Sequence, residues 1–221
     1  MLSTKKLSVS QMNLLLNAGI SVIDYNAISI EFLDFAIPEG AKNAIFTSQN
    51  SVRAMLAKNL LDKAKDSPFQ SIFCVGEKTK RLLEEHNQKV SFFAQNGSEL
   101  ANFIVNNDKN KLFHYFCGTR RRDELPEILK NENIELFEVK SYKTELNPIK
   151  FDQLFNGILF FSPSGVESFC LHNSMGNSMA FCIGETTASE AKKHTHNIKI
   201  ANAATVESVI AKAVKILKEN D

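Results

Sequence analysis

Gly157-Ile158-Leu159-Phe160-Phe161-Ser162-Pro163-Ser164-Gly165-Val166 decides how this chain folds. Gly157 to Phe161 has no polar face and is short, which predicts a buried strand. Ser162 to Gly165 is a hydroxyl-rich turn that opens a helix. The same form stands 114 residues upstream, in Ile45-Phe46-Thr47-Ser48-Gln49-Asn50-Ser51-Val52. There Val52, Met55, Leu56 and Leu60 follow at helical spacing.

Outward from these turns the pattern repeats. Gly19-Ile20-Ser21-Val22-Ile23-Asp24 matches Asn133-Ile134-Glu135-Leu136-Phe137-Glu138, again 114 residues apart. Phe73-Cys74-Val75-Gly76-Glu77-Lys78-Thr79 matches Phe181-Cys182-Ile183-Gly184-Glu185-Thr186-Thr187 at 108. Ser71 to Val75 and Met179 to Ile183 read as strands. Ser98 is a candidate cap for a helix bearing Leu100, Phe103 and Ile104, and Thr205 for one bearing Val206, Val209, Ile210, Ala213 and Leu217. Strand, turn and helix in alternation predict an α/β fold with two similar parallel-sheet units. Ligands of such sheets bind beyond the carboxyl ends of the strands, where these turns lie. Helix-start N–H groups and hydroxyls there suit carboxylates or phosphates, although each turn alone is also an ordinary cap.

Composition narrows the classes. The chain has 221 residues, 43% of them apolar, enough for one large or two small cores. A net charge of +1 argues against nucleic-acid wrapping or coating of an acidic membrane. No apolar run approaches the ~20 residues of a membrane helix. Cys74, Cys117, Cys170 and Cys182 form no C-x-x-C pair and read as reduced thiols in a cytoplasmic core. His194 and His196 lack a third ligand type, so no metal is expected. His114 and His172 belong to no nucleophile motif, and G-x-G-x-x-G is absent. With 17 Phe against 3 Tyr, a Tyr in a polar context stands out.

These segments resemble uroporphyrinogen-III synthase. The carriers are Phe160 to Val166, Cys182 to Ala188, Val139-Lys140-Ser141-Tyr142-Lys143-Thr144, Phe46 to Val52 and Val75 to Thr79. The resemblance implies two α/β domains joined by a two-stranded extended linker, with a ligand cleft between them. One domain is discontinuous, 1–35 with 147–221; the other is 40–140; the linkers are about 36–39 and 141–146. It implies cyclisation of hydroxymethylbilane to uroporphyrinogen III, with loss of water and inversion of ring D, and without metal or organic cofactor. The partner is the linear tetrapyrrole alone, bound by a cytoplasmic monomer.

The resemblance carries Tyr142 as the proton donor to the leaving hydroxyl. A core or linker aromatic anchored through its hydroxyl is the plainer reading. Substrate contacts are Thr47, Ser48, Asn50, Gly118, Ser162, Ser164, Gly165, Thr186 and Thr187. Lys5 stands where an Arg is common, and Ser51 where a Gly often follows the Asn. Arg120-Arg121-Arg122 either attracts the polyanionic substrate or is a solvated helix start beside Asp123 and Glu124. A non-catalytic two-domain binding protein for a small anion is the rival to the enzyme.

Overall fold

The structure is a computed structural model that describes residues 1–61, 67–121 and 123–219. Nineteen elements follow one another along them. They are β1 (Leu2–Ser3), α1 (Val9–Leu16), β2 (Ile23–Asp24), β3 (Ile28–Phe32), β4 (Asn43–Phe46), α2 (Gln49–Ala57), β5 (Ser71–Val75), α3 (Glu77–Glu84), β6 (Phe92–Ala94) and α4 (Gly97–Asn107). Then come β7 (Phe113–Gly118), α5 (Glu124–Asn131), β8 (Leu136–Leu146), β9 (Gly157–Phe160), α6 (Pro163–Cys170), β10 (Met179–Cys182), α7 (Glu185–Ala191), β11 (Ile198–Ile200) and α8 (Val206–Lys218). The chain divides into unit 1, Met1–Ser29 with Glu145–Asp221, and unit 2, Ile30–Thr144.

Unit 1 is built on the sheet β11-β10-β9-β1-β2. Its strands pair parallel, with Leu2 opposite Ile158 and Ala180 opposite Ile158 on the other side. Neighbours along β9 face opposite ways. Ile158 and Phe160 enter a core with Val166, Phe169, Ala188 and Ala191, and Leu159 enters one with Leu15, Val209, Ile210 and Ala213. Helices α6 and α7 therefore cover one face, α1 and α8 the other.

Unit 2 carries the sheet β3-β8-β7-β4-β5-β6. Ala44 and Phe46 face Val52, Met55 and Leu83, whereas Ile45 faces Leu100, Ile104, Leu125 and Leu129. Phe46 and Phe116 stack at 5.3 Å between centroids. Apart from β3, the two sheets have one order, β2-β1-β9-β10-β11 matching β8-β7-β4-β5-β6. Their registers reproduce the sequence offsets: Ile158 pairs with Ala180 as Ala44 pairs with Ile72, displacements of 114 and 108.

Three details differ from the sequence reading. The cap of α4 is Asn96, not Ser98: Asn96 Oδ1 accepts from Glu99 N at 2.9 Å, and the Ser98 hydroxyl donates to Glu124. Helix α2 stops at Ala57 because Asn59 turns left-handed (φ 55°) and Leu60 N bonds Met55 O at 3.0 Å, a Schellman ending. Residues 36–39 lie inside unit 2, where Phe35 and Ile37 pack on its core. The chain passes between the units within β3 and within β8, which are hydrogen-bonded neighbours. Among the described residues no helix is long and apolar enough to cross a membrane.

Candidate active site

Cys117 and Gly118 end β7, and the register against β8 slips there. Cys117 pairs with Lys140, but Gly118 pairs with Tyr142. Ser141 is the extra residue of a bulge, fully buried, its hydroxyl donating to Cys117 O at 3.3 Å. A bulge re-aims the next side chain. Here that side chain is Tyr142, whose ring lies over Gly118: a Cβ on Gly118 would stand 2.6 Å from the ring carbons. Only glycine permits this approach. Thr119 N bonds Tyr142 O at 3.0 Å and closes the corner.

The α2 turn meets the phenol from the other side. Ser48 caps α2, accepting from Asn50 N at 3.1 Å. Burial raises the Tyr142 phenol above its ordinary range, and hydrogen bonding with the Ser48 and Asn50 side chains opposes the rise. The phenol is thus a neutral donor at ordinary pH. On β7, Tyr115 reaches Thr47, hydroxyl to hydroxyl, at 2.8 Å.

These groups line a cavity of about 430 Å³ beyond the carboxyl ends of β4, β5, β6 and β7. Thr47, Ser48, Gly118 and Tyr142 are walls of it, whereas Asn50 is not among its lining residues. Gly76, Thr79, Gln95, Asn96, Arg120, Arg121 and Glu124 complete the polar rim. Gly76 takes φ 85° and opens α3 with no side-chain cap. The sequence does not single out Tyr115, because it sits among phenylalanines in the strand-like stretch Phe113 to Phe116. The one available signal was its rarity among so many phenylalanines.

Arg121 is bound up in ion pairs, with Asp123 and with Glu138. Glu138 also takes Lys140, whose Nζ lies 3.4 Å from Cys117 Sγ. The Arg121 pair is the chief reason that the Glu138 carboxyl titrates below its usual range. Arg121 therefore braces the wall, and its charge is largely spent. Arg120 is exposed on the rim; Arg122 lies outside the described residues.

The remaining expected residues are in unit 1. Ser162 caps α6, accepting from Gly165 N at 3.0 Å. Gly165 is buried against Ser162 and Thr4, whose hydroxyl donates to Leu159 O at 2.8 Å. Ser164 is half-buried in the first turn of α6. At the start of α7, Thr186 is exposed and Thr187 buried. Lys5, His194 and His196 are exposed.

The architecture is shared with solved proteins. The chain is similar to uroporphyrinogen-III synthetase from Helicobacter pylori, at 18% identity and TM-score 0.73 over 97% of this chain and 98% of that one. It is also similar to a mutant uroporphyrinogen III synthase from the extremely thermophilic bacterium Thermus thermophilus, at 13% identity and TM-score 0.68 over 99% and 98%. At such identities the likeness carries the fold alone. The family model described as Uroporphyrinogen-III synthase HemD spans residues 11–211, nearly the whole length, and so the chain belongs to the uroporphyrinogen-III synthase family.

Proposed function

We propose that the cavity over Gly118 receives the hydroxymethyl end of hydroxymethylbilane, with Tyr142 as donor to the departing hydroxyl. As a member of its family the chain is a cyclising lyase of haem biosynthesis, and the reading of a mere anion-binding module is not favoured. The observation that supports the assignment is the Tyr142 phenol laid across Gly118 at the cavity wall, within reach of Ser48 and Asn50.

The reaction removes one water from the ring A hydroxymethyl group and leaves an electrophilic azafulvene. Ring D attacks through its substituted carbon, the spiro product fragments, and the ring recloses inverted. Loss of the hydroxyl is assisted by a hydrogen bond or a proton from the phenol. Ser48 and Asn50 lie within reach of that phenol, and Gly118 leaves it room. The buried thiol of Cys117 titrates above its ordinary range, chiefly through burial, so it stays protonated and does not trap the azafulvene. A tetrapyrrole exceeds this cavity. The turns at Ser162, Ser164, Gly165, Thr186 and Thr187 would hold further carboxylates. Free cysteines, three of them buried, support a reducing cytoplasm, where the enzyme would act as a monomer with neither metal nor organic cofactor.

The test supplies freshly made hydroxymethylbilane and separates the porphyrin isomers after oxidation. The inverted isomer should dominate; only the uninverted isomer at the spontaneous rate would sink the assignment. Tyr142→Phe should lower kcat about 100-fold with folding retained. An unchanged kcat would remove Tyr142 from the chemistry.

A further inference from the structure

The cavity contains a second phenol, which the reaction above does not use. Tyr115 is 2% exposed, and its hydroxyl meets only that of Thr47 among the described hydrogen bonds, at 2.8 Å. Both residues are cavity walls. Two hydroxyls carry two protons, and the bond between them uses one. Whichever oxygen donates, the pair keeps one O–H to give, at the wall of the cavity that both residues line. Burial pushes the Tyr115 phenol up to about 12, against the lowering effect of the Thr47 bond. It therefore stays neutral and puts no negative charge beside an anion.

Among its described residues, unit 1 has no such pair. Its register puts Ser3 opposite Leu159 as Tyr115 stands opposite Ile45, and the 114-residue repeat puts Phe161 where unit 2 has Thr47. The Ser3 proton is already given to Lys5 O at 2.6 Å. The spare donor is thus peculiar to the cavity and is not inherited from the duplicated frame.

We infer that the Tyr115–Thr47 hydroxyl pair is a carboxylate subsite, which takes one acidic side chain of the tetrapyrrole and so positions the ring bearing it. This rests on the reading of the cavity as the place of reaction. The bond forms in ground and transition states alike, so its loss raises KM and spares kcat.

Tyr115→Phe, Thr47→Val and the double variant are assayed with hydroxymethylbilane beside Tyr142→Phe. The double variant should raise KM about tenfold, the worth of one charge-assisted hydrogen bond, with kcat within about twofold. Each single variant keeps one hydroxyl with a proton to give but without the partner that orients it, and should raise KM by less than the double variant does. An unchanged KM in the folded double variant overturns the subsite. If the double variant fails to fold, an unchanged KM in both single variants overturns it. A normal kcat in Tyr142→Phe would instead overturn the cavity as the place of reaction, so the two failures are distinguishable.

Discussion

Units 1 and 2 share a strand order and a register, yet they finish their strands differently. In unit 2, β7 runs six residues and β8 eleven, and the bulge at Ser141 throws Tyr142 over Gly118. In unit 1 the matching β1 and β2 have two residues each, and the corner is filled by Thr4 against Gly165. Aromatic hydroxyls line a cavity in one corner; Thr4 and Ser162 pack against Gly165 in the other. The duplicated frame sets where helices begin, whereas reactivity depends on what the strand ends carry beyond it.

Two glycines break the comparison most sharply. A Cβ on Gly118 would stand 2.6 Å from Tyr142, and one on Gly157 would stand 2.7 Å from Phe181. The clashes are alike, but Tyr142 is half-buried at the site and Phe181 is fully buried in the core. Gly118→Ala should cut kcat about 100-fold while the melting temperature is kept. Gly157→Ala should destabilise by about 1–3 kcal/mol in chemical denaturation and leave kcat intact at low temperature. Equal losses of activity in both would mean that the strand ends are not specialised.

The paired caps sharpen it next. Ser48→Ala and Ser162→Ala should each cost about 1 kcal/mol of stability, since each removes a cap. Only Ser48→Ala should also lower kcat, by about 3- to 10-fold, because its hydroxyl lies within reach of the Tyr142 phenol at the cavity wall. A matching kcat loss in Ser162→Ala would bring the unit 1 turn into the chemistry.

The smallest effect concerns His114, which stands on β7 where unit 1 has Leu2, as their pairing with Ala44 and Ile158 shows. It is buried, its Nδ1 has no partner, and burial holds its pKa below the ordinary histidine value. The folded state therefore keeps it neutral, while the unfolded chain takes up a proton as pH falls below about 6.5. Stability is complete above that pH and is lost as pH falls toward the depressed folded value. In His114→Leu the loss measured by denaturation between about pH 7 and pH 5 should shrink; an unaltered profile would assign it to other groups.

Much of the frame was readable without coordinates, because it is local. Ile45 to Val52 and Gly157 to Val166 announce strand, hydroxyl turn and helix within ten residues, and both form as read. Thr205 accepts from Ser208 N, as its place before an apolar stripe predicts. Ser98 shows the limit of such reading. Two neighbouring polar residues both suit a cap, and the choice of Asn96 depends on Glu124 drawing Ser98 away from across the unit. Arg121 shows it again, since a basic run in sequence becomes a neutralised brace once Glu138 lies beside it.

What the amino-acid order determined by itself is the alternation, the repeat, the turns and, through its resemblance, the family. What only the tertiary structure decided is the company that the phenols keep. Tyr142 meets Gly118 because one extra residue in β8 shifts the register, and Tyr115 meets Thr47 across 68 residues because β7 lies beside β4. Periodicity places a side chain on a face. Strand order and register place it against a partner, and no local pattern encodes them.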